Sequence, residues 1–244
     1  MTTPHGNGRV ETWPKPFIVT FVAETGSTNA DLLTAGGELA DGTVLVSDRQ
    51  TAGRGRLDRS WESPPDERGH GLDATGPNLL MSMLFRVDPP MAHDLVRRVA
   101  IAAARACERV AGITPTLKWP NDLLIGDEKL AGILAQAGGN FVVVGIGLNV
   151  AWAPLGAARL PIGDRDQVLR ALLEEFASLP SDISDEYRER LGTLGRDVRV
   201  ELLNETFVGR AVEVMPDGSL VVEVGADRRI VTAGDVIHLR SADG

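Results

Sequence analysis

Residues 141 to 150, FVVVGIGLNV, are all apolar apart from two glycines and one asparagine. A strand with one wet face would alternate. This one does not, so it predicts a buried central strand covered on both sides. The run is also far short of the roughly 20 residues that span a bilayer, which makes it part of a globular core. With 244 residues, the chain can build one large domain, or one of roughly 190 residues with a small appendage.

The neighbouring segments supply the rest of such a core. FIVTFVA from Phe17, TVLVSDRQ over 43–50 and NLLMSMLFR over 78–86 carry strand signals. Between the first two, Ser27, Thr28 or Asn29 can cap a short helix. Over 91–111, Leu95, Val99, Ala102 or Ala103, Ala106 and Val110 recur at spacings of three and four, an amphipathic helix with Cys107 flanking the stripe. Gly126-Asp127 between DLLI and EKLAGILAQ reads as a hairpin turn, and Asp164 as the cap of a helix over 164–178. Residues 1–16, rich in Pro, Gly and Thr, are expected to be a flexible tail, and 62–77 a loop with an insertion. The last fifty residues change character: five short alternating strands separated by Pro-Asp-Gly and Gly-containing turns suggest a small barrel. The pattern as a whole is α+β, and pattern alone assigns no reaction.

Charge and absent motifs narrow the chemistry. With 25 Lys+Arg against 34 Asp+Glu, the net charge of -9 argues against an extended nucleic-acid surface. Any anionic ligand must therefore meet a local basic cluster. The N-terminus has no apolar signal-peptide core, and a single cysteine excludes an internal disulfide, so the expected address is cytoplasmic, with no membrane partner. There is no P-loop, no complete GxGxxG, no HExxH and no GxSxG, and the four histidines are scattered, so no fixed metal site is expected.

Two segments could hold an anion. In QTAGRGRLDRSW, Gly53 and Gly55 let backbone N–H groups approach a ligand, and over 48–59 Arg49, Arg54, Arg56 and Arg59 against Asp48 and Asp58 leave a net of +2. A solvated surface loop would have the same composition. In LKWPNDLLIGDEKLAGIL, Pro120 restricts Trp119 to an extended conformation and so presents Lys118, Asn121 and Asp122, with Lys129 across the hairpin. A lysine there could stabilise developing negative charge, although a surface ion pair would look alike. Gly132 in mid-strand suggests close approach by a ligand or another backbone.

Taken in order, GSTN (26–29), Gln50, AGRGR (52–56), Trp61, Asn78-Leu79, KWPND (118–122), KLAGIL (129–134) and GIGLN (145–149) resemble the biotin protein ligases from about Val19 to Arg240. The resemblance implies a class II synthetase-like catalytic domain, a mixed β-sheet flanked by helices, over 17–192, and a small SH3-like β-barrel domain over 193–244. It implies two substrates, biotin and ATP with Mg²⁺, and a biotin carboxyl carrier domain of an acyl-CoA carboxylase as partner. Ser27, Thr28, Asn29 and Gln50 would meet the ureido ring of biotin. Gly53, Arg54, Gly55 and Arg56 would line its carboxylate and the phosphate, and Gly132 and Leu134 its tail. Arg54, Arg56, Arg59, Trp61, Lys118, Asn121, Asp122, Lys129, Asn149 and Arg240 would contact ATP. Lys129, Arg56 and Asp122 would carry catalysis.

The family often has glycine where Asp58 stands, and residues 65–75 lengthen a connection that is usually short. Some members begin with a DNA-binding winged helix. Only about 16 residues precede the first strand here, so the resemblance implies the monofunctional type, without DNA, as a monomer or weak homodimer. The alternative within a similar fold is a lipoate or octanoate ligase. Against it stand Gln50 and the Ser27-Thr28-Asn29 group, polar partners of little use to an apolar acyl chain. A non-catalytic biotin-binding module is the remaining reading. The joint presence of Arg54, Arg56, Asp122 and Lys129 argues against it.

Overall fold

The computed structural model describes residues 4–5, 9–10, 12–56, 59–62, 77–161 and 164–239. Two short strands, β1 (Pro4–His5) and β2 (Arg9–Val10), pair antiparallel at the start. The body runs β3 (Ile18–Thr25), α1 (Thr28–Ala35), β4 (Thr43–Gln50), β5 (Leu79–Phe85), α2 (Ala92–Ala111), β6 (Thr116–Lys118), β7 (Asp122–Ile125), β8 (Glu128–Ala137), β9 (Val142–Leu148), α3 (Arg165–Ser178) and α4 (Ser184–Arg190). A second unit contains β10 (Asp197–Glu201), β11 (Thr206–Val214), β12 (Leu220–Val224), β13 (Asp227–Val231) and β14 (Asp235–His238).

The body's seven strands form one sheet in the order β3-β4-β5-β9-β8-β7-β6. The crossover through α1 makes β3 and β4 parallel, and every other pair is antiparallel, so the sheet is mixed. The apolar run forms the middle strand, β9, and Val142, Val143, Val144, Ile146 and Leu148 are all buried. One face packs against α2 and α3. The alanines of α2 let it approach closely, and Leu95, Val99, Ala102, Ala106 and Cys107 are buried there. Each such Leu or Ile removed from water contributes roughly 1.5–3 kcal/mol. Burial pushes the Cys107 thiol up to about 12, which leaves it protonated and unreactive. The other face carries α1 over Leu84, Phe141 and Val143.

Local signals set the ends. Asp164 Oδ1 accepts the N–H groups of Asp166 and Gln167 at 3.0 Å each, capping α3. Gly126, at φ 61°, turns β7 into β8. No helix among the described residues is long and apolar enough to cross a membrane.

Two details add to the sequence pattern. Trp13, just before β3, packs against the body: its ring lies 5.7 Å from that of Phe21, Arg170 stacks over Trp13, and Arg170 also donates to the Thr12 carbonyl. An aromatic anchor of this kind has no periodicity to reveal it. The five C-terminal strands are present in an SH3-like arrangement, order β13-β12-β11-β10-β14. No ladder joins β13 to β14 among the described residues, so this sheet is open rather than a closed barrel.

The C-terminal sheet is fastened to the body. Trp119 donates its indole N–H to the Gly218 carbonyl at 2.9 Å and its backbone N–H to Thr193 Oγ1 at 2.9 Å. Thr193 in turn lies 2.9 Å from His238 Nε2 on β14.

Candidate functional site

A cavity of about 220 Å³ opens beside the centre of the seven-stranded sheet. Its walls come from the N-terminus of α1, the segment after β4, strands β5, β7, β8 and β9, and Asp235 of the C-terminal sheet. The lining divides between two ends of different character, one buried and one exposed.

The closed end is neutral and buried. Thr28, Asn29 and Ser82 are 3%, 6% and 0% exposed. Thr28 N–H donates to Gln50 Oε1 at 2.8 Å, and Thr28 Oγ1 lies 2.7 Å from Ser82 Oγ. Ser82 donates to Asn29 Oδ1 at 2.6 Å, and Asn29 Nδ2 donates to the Leu134 carbonyl and to Gln136 Oε1. Here Gly145 is needed for space, because a Cβ on it would lie 2.2 Å from Asn29 Oδ1.

The open end is charged. The GRGR segment folds back on itself: Gly55 N–H donates to the Arg59 carbonyl at 2.7 Å and Trp61 N–H to the Gly53 carbonyl at 2.9 Å. Gly53 does not line the cavity. It makes room for that return, since a Cβ there would lie 2.8 Å from the Trp61 carbonyl oxygen. The Trp61 indole covers two paired glycines: a Cβ on Gly147 would collide with it at 2.4 Å, and one on Gly132 would lie 3.1 Å from both the indole and the Lys129 side chain. Lys129 stands 5.6 Å from that ring, and its Nζ is 2.7 Å from Asp122 Oδ1 in an ion pair. Arg59 pairs with Asp235. Burial pulls Arg56 below its ordinary value, Asp235 and Asp122 oppose that, and Arg59 adds to it. A guanidinium remains protonated under such a shift.

Beside the charges lies one buried amide. Asn149, 2% exposed, donates Nδ2 to the carbonyls of Lys129 (3.3 Å) and Ala158 (2.9 Å), while its Oδ1 has no partner. Its surroundings are held by Asn78, whose Oδ1 accepts three consecutive N–H groups, from Val150, Ala151 and Trp152. That grip sets the turn after β9, from which Pro154 and Ala157 reach the cavity.

Of the residues expected from sequence, the cavity brings together Ser27, Thr28, Asn29, Gln50, Arg54, Gly55, Arg56, Arg59, Trp61, Asn121, Asp122, Lys129, Gly132, Leu134 and Asn149. Lys118 is not among them. It sits on the edge strand β6, outside the cavity, and its charge acts on His238. Arg240, Asp58 and the 65–75 insertion lie outside the described residues. Sequence reasoning missed Ser82, Asp235, Pro154 and Ala157. A lone serine in the otherwise apolar strand LLMSMLF was the available signal for the first.

Known proteins are similar to this chain over nearly all of it. Residues 21–150 match the Biotin/lipoate A/B protein ligase family, and 193–239 the Biotin protein ligase C terminal domain. The biotin--[acetyl-CoA-carboxylase] ligase of Mycobacterium tuberculosis is 37% identical, over 90% of this chain and 88% of the relative. The bifunctional ligase/repressor BirA of Escherichia coli is 30% identical, over 89% of this chain and 72% of the relative. Among solved structures, the biotin protein ligase from Aquifex aeolicus in complex with biotin and ATP superimposes with a TM-score of 0.76 at 25% identity, covering 91% of this chain and 99% of the other. With two family models matched in order on one chain, and a cavity that joins a neutral hydrogen-bonding end to a cationic one, this chain belongs to the biotin/lipoate A/B protein ligase family.

Proposed function

We propose that the cavity binds biotin at its neutral end and ATP at its charged end, and joins them. The enzyme is an ATP-dependent biotin protein ligase. In the first step a biotin carboxylate oxygen attacks the α-phosphorus of ATP, a P–O bond forms, and pyrophosphate leaves, giving biotinyl-5'-AMP. In the second, the amine of a carrier-domain lysine attacks the acyl carbon, an amide forms, AMP leaves, and the amine loses a proton.

The observation that carries this reading is the juxtaposition itself. Two anions repel, and Arg54, Arg56 and Lys129 face the cavity where they must meet. Preorganised cations of this kind stabilise charge that develops in the transition state. Asp122, paired to Lys129, holds that ammonium in place and stands where an incoming amine could be oriented. At the far end, Thr28 and Gln50 suit a cyclic urea. The two carbonyls that accept from Asn149 Nδ2 fix the amide so that its acceptor Oδ1 is the group left to a ligand, which suits the exocyclic amino group of adenine. Mg²⁺ is assigned to the triphosphate as part of the substrate. The acceptor is assigned as a biotin carboxyl carrier domain. Residues 17–192 are assigned as the catalytic unit and 193–244 as the unit that closes its open end through Asp235.

Biotin-dependent exchange of labelled pyrophosphate into ATP, followed by labelling of a carrier domain, tests both steps. Exchange that runs with lipoate but not with biotin would replace this reading by the lipoate one.

A further inference from the structure

Ser82 lies in the middle of β5, fully buried, directly opposite Gly145 in the sheet register and facing the N-terminus of α1. Its two polar partners, Asn29 Oδ1 and Thr28 Oγ1, leave only one possible direction for the hydroxyl hydrogens. Asn29 Nδ2 points at the Leu134 carbonyl, which can only accept, so the Asn29 amide is fixed with Oδ1 toward Ser82. Oδ1 has no hydrogen, so Ser82 donates to it and spends its single proton there. Ser82 can then serve Thr28 only as an acceptor, and Thr28 spends its own proton on Ser82 at 2.7 Å. The 3.1 Å approach of Thr28 Oγ1 to Gln50 Oε1 is therefore left without that hydrogen, and Gln50 Oε1 is held instead by the Thr28 backbone N–H at 2.8 Å.

We infer that Ser82 is a specificity-determining residue: through this one-way relay it makes the closed end of the cavity present hydrogen-bond acceptors, Thr28 Oγ1 and Gln50 Oε1, and so selects a ligand head that offers N–H donors. A cyclic urea has two such groups. A dithiolane or an alkyl chain has none, and a ring oxygen in place of an N–H would set lone pair against lone pair. Gly145 belongs to the device, since a Cβ there would lie 2.2 Å from Asn29 Oδ1 and 3.2 Å from Ser82 Oγ. The inference rests on the reading that this end takes the ureido ring of biotin.

Ser82→Ala removes the relay with little change of volume. Asn29 Oδ1 loses its donor, and the Thr28 hydroxyl becomes free to turn and donate. Biotin affinity should fall roughly 5- to 150-fold, the range for leaving one buried partner unpaired. In pyrophosphate exchange the loss should appear in KM for biotin, with kcat at saturating biotin retained. The selective readout is the preference for biotin over its two cyclic-carbamate analogues, each with one ring N–H replaced by oxygen. Titration calorimetry should show the wild type rejecting the carbamate whose oxygen faces Thr28. Ser82→Ala should lose much of that preference, because Thr28 can then donate, and Ser82→Cys, with a weaker donor, should fall between. Unchanged biotin affinity in Ser82→Ala would overturn the inference. So would weakened affinity with the preference intact, which would mean only a general loosening of the wall. A wild-type chain that binds no biotin would instead remove the ligand assignment and the inference together.

Discussion

The two ends of the cavity solve recognition in opposite ways. At the closed end, Thr28, Asn29 and Ser82 are almost completely buried and their hydrogen bonds are made within the protein before any ligand arrives. At the open end, the side chains of Lys129 and Arg59 are 41% and 62% exposed, and each is held by a carboxylate, Asp122 or Asp235. The contrast follows from what burial costs. A neutral network can be buried if every member is satisfied, whereas an unpaired buried charge is far more expensive. Neutral groups can thus define shape and polarity in advance, and charges must wait near solvent, paired, until an anion takes over from the carboxylate. The closed end should therefore govern which acid binds, and the open end how fast it reacts.

Lys129→Ala should separate the two ends most sharply. Removing a preorganised donor to a developing charge costs a factor of about 10² to 10³ in rate. The loss should appear in the rate of biotinyl-5'-AMP formation, measured in a single turnover, while biotin affinity from calorimetry stays near that of the wild type. An equal loss in both measurements would mean that Lys129 serves ground-state binding, and the division between the ends would not hold.

Asn149 sharpens the comparison because it is a buried neutral group at the charged end. Its Oδ1 has no partner within the protein, unlike Asn29 Oδ1 at the other end, which accepts from Ser82. Asn149→Leu should raise KM for ATP by roughly 5- to 150-fold and leave biotin affinity unchanged. It should also narrow the preference for ATP over GTP, since guanine carries an acceptor where adenine carries its amino group. A preference that stays as wide in the variant would show that Oδ1 does not read the base.

What could be read from sequence divides along the same physical line. Strand β4 has the predicted limits 43–50, α2 begins within one residue of expectation, and β9 takes the middle of the sheet, because all three depend on local periodicity. The GRGR and KWPND segments drew attention because charge and glycine are conspicuous in an acidic chain. Ser82 was hidden inside an apolar strand, where one hydroxyl does not disturb the pattern. Asp235 meets Arg59 across 176 positions of sequence, and no local signal reports such a contact. Lys118 illustrates a related point: its neighbours in KWPND reach the cavity, but its own place on the outermost strand is a property of the whole sheet.

The smallest expected effect concerns how the open end is anchored to the C-terminal sheet. Trp119, next to the residues that present Asn121 and Asp122, donates its N–H to Thr193 Oγ1, and Thr193 faces His238 Nε2. With Thr193 accepting from Trp119, its hydroxyl hydrogen is available to His238, which must then be neutral at Nε2. Burial, together with Lys118 and Arg196, pulls the imidazole down to about 4 from 6.5, and Asp127 opposes them weakly. A base depressed in the folded state is neutral in both states above pH 6.5. As pH falls through the window from about 6.5 to about 4, the unfolded chain binds the proton first, and stability is lost progressively. Thermal unfolding of the wild type should therefore show a falling Tm across that window, beyond the contribution of the carboxylates. His238→Gln, which can still accept from Thr193 through its amide oxygen, should flatten that part of the curve while leaving biotin affinity at neutral pH untouched. Parallel Tm profiles for the two proteins between pH 6.5 and 4 would mean that His238 takes up its proton without disturbing Thr193, and the anchor would have to be sought in Trp119 and Gly218 alone.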